Sequence, residues 1–442
     1  MIRSTFLTRP GAQASATRNG VSTAKLLVLV AMILIGILVR SVGRAETHST
    51  CTVGIYAGPE DGFVILTRSE SGFRYAFDTG IVGAVGSPEA RVSCLNDAVA
   101  VDGAQTWSRV PLRQTDTAFQ SQGVALAGRL IEAPEADGQG PLVVFAHGSE
   151  QTGWLDRVSD PYQLVGRGIS VFVYDKRGTG RSGGAYNQNF PLLADDLIAA
   201  SQEARRLAVD RYGRFGIIGL SQGGWVAPLA ANRAEADFIA VGYGLVMDIR
   251  EEDAAQVALE LREAGYGDDV IALARQITDA TARVATETSP ASVMAFDAVR
   301  NRVADAPWLK VVRGDFTGLL LDASVAEIET AILPVFRSYE VDWSVDPVAT
   351  VRAVEVPQLW VFAGEDRAAP PDVSIARLTA LRDAGQDITL RVFPETDHGI
   401  WQFSVSPDGT RRYTQIAPGY YDMLADWAHG LLQGMYGTAE IR

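Results

Sequence analysis

The most informative segment of this 442-residue chain is Phe215-Gly-Ile-Ile-Gly-Leu-Ser-Gln-Gly-Gly-Trp225. Its apolar, β-branched first half is typical of a buried strand, and the residues that follow it are typical of a helix. A serine in a sharp turn between strand and helix has a strained backbone that exposes its hydroxyl, and only small residues fit two positions away on either side. Gly219 and Gly223 occupy those positions around Ser221. Because backbone N–H groups at the helix start stabilise an anion, Ser221 is the candidate nucleophile.

A second stretch of the same kind, Gly180-Arg-Ser-Gly-Gly184, requires a choice between two serines. With 43 glycines in the chain, a chance match to Gly-x-Ser-x-Gly is expected. The second stretch lies well past the strand before it and continues into Ala-Tyr-Asn-Gln-Asn-Phe-Pro191, which is the composition of a loop. The local context therefore favours Ser221 over Ser182.

A serine nucleophile needs a base to take its proton and an acid to orient that base. Of the four histidines, His48 lies beside an N-terminal apolar segment and His429 lies in a late helical segment. His147 and His398 each follow an apolar strand, and a base after the last strand fits the order nucleophile, acid, base. We therefore predict His398 as the base; a hydrogen-bonded loop histidine is the alternative interpretation.

Two candidate acids precede this histidine in the loop Ala363-Gly-Glu-Asp-Arg367, which follows another apolar run. The loop favours Asp366 as the acid that orients the base. Glu365 is the alternative, and whichever of the two is not used is expected to be a solvated loop charge.

The hydrophobic pattern downstream of residue 118 predicts a parallel sheet with helices on both of its faces. Short continuous apolar runs, typical of strands buried on both faces, alternate with amphipathic stretches, and strands that alternate with helices indicate right-handed crossovers. The runs are at residues 123–131, 141–146, 169–174, 215–220, 238–241, 359–362 and 388–393. Between about 245 and 345 the pattern is helical only, which predicts a lid inserted over the carboxyl ends of the strands.

Residues 46–117 form a separate pattern of short strands, with a hairpin predicted over 62–78. Cys51 and Cys94 are the only cysteines of the chain. In an oxidising compartment they would form one disulfide that staples this β-rich unit; two unpaired buried thiols are the alternative. Two cysteines with only His48 nearby make a metal site improbable.

The first 45 residues contain six basic residues and no acidic one, and they include the apolar run 26–39. This pattern is typical of a signal peptide cleaved after Ala45, with an uncleaved membrane tether through 26–39 as the alternative. Lysine occurs only at positions 25, 176 and 310, which suggests a GC-rich bacterial source and therefore a periplasmic, extracellular or inner-membrane-anchored protein. The net charge of -14 argues against nucleic acid as a partner.

In the order of its motifs, the chain resembles the α/β-hydrolase family over about residues 118–435. His147-Gly-Ser149 looks like the oxyanion turn of that family, and Asp175-Lys-Arg-Gly-Thr-Gly-Arg-Ser182 looks like the turn after its fourth strand. Residues 219–223 resemble its nucleophile elbow, 364–366 its acid loop and 397–399 its histidine loop. The acid loop is one residue shorter than the commonest form. The Ser-Gln-Gly-Gly and Asp-Lys-Arg-Gly-x-Gly forms of two motifs also resemble the dienelactone-hydrolase, acyl-thioesterase and prolyl-oligopeptidase-like members.

The resemblance implies a role for each motif residue. Ser221 would attack an acyl carbonyl, His398 would move its proton and Asp366 would hold the imidazole in position. The backbone amides of Gln222 and Ser149 would bind the oxyanion. The remaining motif residues would shape turns: His147, Arg177 and Ser182.

These inferences predict an exported serine hydrolase that cleaves a carboxylic ester or a related acyl bond and uses no cofactor or metal. A serine peptidase or aminopeptidase acting through the same residues is the main alternative, so the substrate is expected to be a small ester or a short peptide. A hydrolase-fold binding protein without turnover is a third interpretation. Ester or peptide preference and oligomeric state remain open at this stage.

Overall fold

The computed structural model describes residues 51–133 and 138–442. The predicted leader at 1–45 and the possible tether at 26–39 lie outside these residues. The helices are α1 (Asp160–Val165), α2 (Phe190–Leu207), α3 (Gly223–Ala230), α4 (Ile249–Glu263), α5 (Asp268–Glu287), α6 (Pro290–Arg302), α7 (Thr317–Leu321), α8 (Val325–Glu327), α9 (Leu333–Ser338), α10 (Pro347–Arg352), α11 (Asp372–Asp383) and α12 (Tyr420–His429). A 3₁₀ turn spans Pro307–Lys310 and a π-helical turn spans Ile328–Ile332.

The strands of the described residues form three sheets. The first sheet contains β1 (Gly54–Ala57), β2 (Phe63–Ser69), β3 (Gly72–Phe77), β4 (Val82–Ala84), β5 (Val92–Leu95), β6 (Ala98–Val101) and β7 (Gln105–Arg109). The second contains β8 (Arg113–Ser121), β9 (Val124–Glu132), β10 (Leu142–Ala146), β11 (Ser170–Tyr174), β12 (Phe215–Leu220), β13 (Phe238–Gly242), β14 (Gln358–Ala363), β15 (Ile388–Phe393) and β19 (Glu440–Ile441). The third contains β16 (Thr396–Asp397), β17 (Trp401–Val405) and β18 (Arg411–Ile416).

The nine-stranded sheet has the order β19-β15-β14-β13-β12-β10-β11-β9-β8. Its six central strands, β10 to β15, run parallel, and the strands toward the edges, β8, β9 and β19, pair antiparallel. Every residue of β10, β11, β12, β13 and β14 is buried, as the continuous apolar runs predict for strands covered on both faces. The expected α/β architecture is therefore confirmed.

The edge of this sheet begins earlier in the chain than residue 118. Strand β8 starts at Arg113 and pairs with β9 over its whole length, so the expected boundary between 117 and 118 falls inside β8. Gln122 and Gly123 connect the two strands with φ values of 47° and 77°, which is the geometry of a tight hairpin turn. The boundary was misplaced because β8 is a polar edge strand with mostly exposed or half-buried residues, and it has no apolar run to reveal it.

The N-terminal unit is a seven-stranded antiparallel sheet of order β4-β3-β2-β1-β7-β6-β5, and it includes the predicted hairpin as β2 and β3. A disulfide joins Cys51 and Cys94, whose Cα atoms are 5.2 Å apart. The sheet buries apolar side chains against the larger domain: Ile55 and Phe63 belong to the same hydrophobic cluster as Leu164. The two units thus share a core.

The segment between β13 and β14 is helical and has its own hydrophobic core, as expected for a lid insertion. Helix α4 begins with a capping box, in which Asp248 accepts a hydrogen bond from the amide of Glu251 and the Glu251 carboxylate accepts one from the amide of Asp248. The helical stretch from 325 to 338 is divided by the π-helical turn. Pro334 follows that turn, and because proline has no N–H it cannot continue an α-helical hydrogen-bond ladder.

Among residues 51–133 and 138–442, no helix is long and apolar enough to cross a membrane.

Candidate active site

Ser221 lies at the turn between β12 and α3 with a φ of 52°, the left-handed conformation that the sequence predicts for it. The two glycines around it are required by close backbone contacts. A Cβ on Gly219 would lie 2.3 Å from the carbonyl oxygen of Gly223, and a Cβ on Gly223 would lie 2.4 Å from that of Ala146. The Ser221 amide donates to the Gly242 carbonyl over 3.0 Å, which ties the turn to the neighbouring strand β13.

The structure brings Ser221, His398 and Asp366 together in one hydrogen-bonded line. His398 Nε2 is 3.0 Å from Ser221 Oγ, and His398 Nδ1 is 2.9 Å from Asp366 Oδ2. Asp366 is buried at 1% exposure, and its other oxygen accepts from the amides of Ala368 at 2.9 Å and Ala369 at 2.7 Å. These bonds fix the carboxylate so that it faces the imidazole.

The alternative acid, Glu365, points elsewhere. Its carboxylate Oε2 is 3.1 Å from Arg411 Nη2, on the side chain of strand β18, and it is half exposed. Of the two acids in this loop, it is therefore Asp366 that contacts His398.

The histidine loop is held by Asp397, the residue before His398. The Asp397 carboxylate accepts from the amide of His398 at 2.9 Å and from the Tyr413 hydroxyl at 2.8 Å, and it lies 2.8 Å from Arg411 Nη1. Burial alone would raise the Asp397 pKa, but the hydrogen bond from the Arg367 amide, at 3.0 Å, and these three contacts keep it below its usual value. The third sheet thus carries two side chains, Tyr413 and Arg411, that stiffen the loop.

Opposing effects act on the imidazole of His398. Burial disfavours the charged ring, whereas the charge and hydrogen bond of Asp366 favour it, and the net result is a pKa above the ordinary value. The Tyr243 ring meets the imidazole edge to face, with centroids 4.9 Å apart. This contact and the bond to Asp366 restrict the ring to one orientation.

The two predicted oxyanion donors lie on segments that flank Ser221. Gln222 is the residue after Ser221 in the elbow. Ser149 follows Gly148, and a Cβ on Gly148 would lie 3.5 Å from Ser221 Cβ. Within the described part of the chain, the amides of Gln222 and Ser149 donate to no protein acceptor. The Ser149 carbonyl accepts from the Tyr186 hydroxyl at 2.6 Å, which fixes the peptide plane beyond Ser149.

A buried lysine, Lys176, connects these two segments. Its ammonium donates to the Gly148 carbonyl at 2.7 Å and to Gln222 Oε1 at 3.2 Å, and it lies 4.9 Å from the centre of the Tyr186 ring. Burial lowers the pKa of Lys176 to about 8, against the opposing effect of the Glu150 carboxylate. Sequence reasoning assigned this residue only to a turn motif; the one available signal was the scarcity of lysine in the chain.

The other motif residues have structural contacts. His147 is buried between the rings of Trp154 and Tyr174, at centroid distances of 4.6 and 4.7 Å, and burial holds its pKa well below the ordinary value. Arg177 Nε donates to the Asp196 carboxylate of helix α2 over 2.6 Å, and both residues are buried. Ser182 Oγ accepts from the Ala127 amide at 2.9 Å and donates to the Asp175 carbonyl. Ser182 is thus placed in a turn, away from His398.

Ser221 and His398 open into a cavity of about 810 Å³ between the carboxyl ends of the strands and the lid. The lid contributes the loop around Asp315, and the third sheet contributes Arg411. The lid loop is tied to α4, because Glu260 of that helix accepts from the amides of Arg313 at 2.6 Å and Gly314 at 3.1 Å. Within residues 51–133 and 138–442 no group of three or more His, Cys, Asp or Glu side chains is arranged to hold a metal ion.

The family model of the alpha/beta hydrolase family matches residues 143–412, and the chain belongs to that family and is a hydrolase. A search of curated proteins finds no match.

Solved structures with a similar fold include an esterase from Pyrococcus furiosus, at 14% identity and a TM-score of 0.42 over 65% of this chain and 84% of the esterase. An acylaminoacyl peptidase from Pyrococcus horikoshii matches at 15% identity and a TM-score of 0.41 over 76% of this chain, which spans 45% of the peptidase. An alpha/beta hydrolase from Penicillium sp. matches at 16% identity and a TM-score of 0.41, over 65% of this chain and 92% of its own.

Proposed function

We propose that this chain is a serine hydrolase that cleaves a carboxylic ester or a related acyl bond. The observation that carries the proposal is the unbroken hydrogen-bonded line from Asp366 through His398 to Ser221, which ends at a strained serine facing the cavity. A serine, a base within hydrogen-bond distance and an acid that orients the base are the arrangement that nucleophilic acyl transfer requires.

In the proposed reaction, Ser221 Oγ attacks the acyl carbonyl carbon while His398 Nε2 accepts the hydroxyl proton. The tetrahedral intermediate then loses its leaving group, which takes that proton from His398 as the bond to the acyl carbon breaks. Water attacks the resulting acyl-serine with His398 again as the base, which releases the carboxylic acid and restores the serine. Asp366 stays ionised and stabilises the imidazolium in both halves.

The amides of Gln222 and Ser149 are the proposed donors to the oxyanion. Each such donor contributes about 3–4 kcal/mol to the transition state in related sites. Their proposed role is supported by their unused N–H groups and by Lys176, which hydrogen-bonds to both segments. No part of this mechanism uses a metal or an organic cofactor.

Short peptides are the second candidate substrate class. A cavity of about 810 Å³ partly covered by a helical lid has room for a few residues and restricts the access of long chains. The same three residues can cleave an amide, provided that His398 protonates the poorer leaving group.

We further propose that the protein acts outside the cytoplasm, in a periplasm or beyond it. The Cys51–Cys94 disulfide supports this proposal, since disulfides persist mainly in oxidising compartments.

The test uses purified full-length protein, p-nitrophenyl esters of increasing chain length, and aminoacyl and peptidyl anilides, with Ser221→Ala as the variant. We expect ester turnover that falls at least about 10³-fold in Ser221→Ala, together with labelling of Ser221 by a fluorophosphonate, read by peptide mass spectrometry. Anilide turnover at comparable efficiency would identify a peptidase. Ester turnover that is unchanged in Ser221→Ala, or no turnover and no labelling, would refute the serine-hydrolase assignment.

A further inference from the structure

Glu150 places a carboxylate beside the proposed oxyanion site. It directly follows Ser149, one of the two proposed oxyanion donors, and it lines the catalytic cavity. A Cβ on Gly148 would lie 2.6 Å from Glu150 Oε2 and 3.5 Å from Ser221 Cβ. The carboxylate of Glu150 and the side chain of Ser221 are therefore close together. A negative charge this close to a developing oxyanion raises the energy of the transition state, and more so in a cavity from which water is displaced.

The structure holds this carboxylate in place, and no described lysine or arginine forms a salt bridge with it. Glu150 Oε1 accepts a hydrogen bond from the indole N–H of Trp154, a buried residue that stacks on His147. In the described part of the chain, Oε2 accepts no hydrogen bond and no lysine or arginine is within 4.0 Å of either oxygen. The charge of Lys176 acts on Glu150, but its ammonium hydrogen-bonds to Gly148 and Gln222 instead.

Two of the three arginines that line the cavity are paired with acids of their own. Arg411 Nη1 lies 2.8 Å from Asp397, and Arg367 lies 3.0 Å from Glu263. The Arg313 guanidinium donates to the carbonyl of its neighbour Val312 at 2.8 Å. Within the described residues, none of these arginines lies within 4.0 Å of Glu150, the carboxylate that directly follows Ser149.

We propose that the substrate carries an ammonium group close to the scissile carbonyl and that Glu150 binds it. The inference rests on the proposed serine-hydrolase function and names its substrate class: aminoacyl esters or amides with a free amine, or esters whose leaving group carries the cation. A bound ammonium forms a direct ion pair with Glu150, and the oxyanion then forms beside that pair. Uncharged substrates leave the carboxylate without a salt-bridge partner, so the same residue selects against them.

The walls of the cavity suit such a group. The rings of Trp154, Tyr243 and Trp401 line it, and aromatic faces attract ammonium groups as carboxylates do. Carboxylate and rings together are the combination that binds an amine in preference to an alkyl group of the same size.

The experiment compares esters that differ only in this charge. Alanine methyl ester and methyl isobutyrate have the same shape, with an ammonium in the first where the second has a methyl group. Butyrylcholine and 3,3-dimethylbutyl butyrate form the same kind of pair on the leaving-group side. The ratio of kcat/KM within each pair is measured by pH-stat at pH 7 for the full-length protein, Glu150→Gln and Glu395→Gln. Glu395 is an exposed residue outside the cavity lining, so its variant controls for the loss of one negative charge.

An ammonium also activates an ester chemically, so the decisive quantity is the change of each ratio on mutation. We expect Glu150→Gln to lower the ratio of kcat/KM for the charged ester to kcat/KM for the neutral ester at least tenfold in one pair. The variant should hydrolyse the charged ester less well and the neutral ester better, while Glu395→Gln leaves both ratios unchanged. A fall in the alanine pair places the amine on the acyl group, and a fall in the choline pair places it on the leaving group.

Ratios that Glu150→Gln does not change, or a loss of equal size for both members of each pair, would overturn the inference. The isosteric variant keeps an acceptor for Trp154, and its thermal unfolding temperature is measured to exclude misfolding. Failure of the underlying function looks different: Ser221→Ala would then retain turnover of the neutral esters.

Discussion

Two opposing influences act on His398 and, in the proposed mechanism, set the pH range of activity. Burial favours the neutral ring, but Asp366 and Asp397 favour the imidazolium strongly enough to raise its pKa above 6.5. A general base must be neutral to accept a proton, so the raised pKa means that activity is lost on the acid side. The proposed mechanism therefore depends on Asp366, although the charge of Asp366 also makes His398 harder to deprotonate.

From this follows the expected pH profile. We expect kcat/KM for a p-nitrophenyl ester to rise with pH through one ionisation whose midpoint lies above 6.5, because only the neutral fraction of His398 is active. Asp366→Asn should lower kcat about 10⁴-fold, since the amide no longer selects the tautomer that receives the Ser221 proton. Initial rates between pH 5 and 9 measure both effects.

The neighbouring acid supplies the matched control for this experiment. Glu365→Gln is the appropriate variant, because it keeps the length of the side chain. It should retain both the kcat and the pH-profile midpoint of the native protein. A large loss in Glu365→Gln with little effect of Asp366→Asn would reverse the assignment of the acid.

At the scale of single elements, the turn between β12 and α3 depends on how closely it approaches β10. Gly223 leaves no space for a Cβ against the carbonyl of Ala146, the last residue of β10, and that strand leads into the Gly148-Ser149 turn. We expect Gly223→Ala to lower the free energy of unfolding by about 1–3 kcal/mol. We also expect a large decrease in kcat with a smaller change in KM, because the added methyl group forces the elbow and the Gly148-Ser149 turn apart. Denaturant unfolding and ester kinetics measure the two effects.

Gly183→Ala is the control, because this glycine lies in the second Gly-x-Ser-x-Gly stretch. A Cβ at this position would be 3.4 Å from the nearest backbone oxygen, which is an ordinary contact. The variant should behave like the native protein in both assays. Equal losses of stability and kcat in Gly223→Ala and Gly183→Ala would show that the close contact between Gly223 and Ala146 is not the cause.

At the scale of the whole molecule, the N-terminal sheet is held in two ways. It shares the hydrophobic cluster that contains Ile55, Phe63 and Leu164 with the larger domain, and the disulfide closes a loop between positions 43 residues apart. We expect replacement of both cysteines by alanine to lower the free energy of unfolding by about 3–4 kcal/mol, mainly by freeing the unfolded chain. Urea unfolding followed by tryptophan fluorescence measures this change.

Native protein treated with a reductant provides the comparison, and it should lose the same stability as the double variant. Ester turnover of the folded double variant should be close to native, since neither cysteine lines the catalytic cavity. Stability unaffected by both treatments would show that the shared core alone holds the sheet.

The sequence predicts the parallel sheet, the helical insertion, and the order of the candidate residues Ser221, Asp366 and His398 along the chain. These features are written in local patterns: apolar runs for buried strands, small residues at a turn, and a base or acid at the end of a strand. The sequence could not reveal β8, because a polar edge strand carries no apolar run. The sequence also left Glu365 as an alternative acid. Glu365 and Asp366 are adjacent, and their order along the chain does not reveal which of the two side chains points toward His398.

The surroundings of those residues depend on tertiary packing. Lys176 reaches Gly148 and Gln222 across 28 and 46 positions of the chain, and Arg411 meets Asp397 only because a hairpin folds back over the histidine loop. The place of Glu150 beside Ser221 likewise depends on two turns that come from different strands. The physical reason is common to all three: a charge acquires its partner, or lacks one, through the packing of elements that are distant in sequence, and no local pattern records that packing.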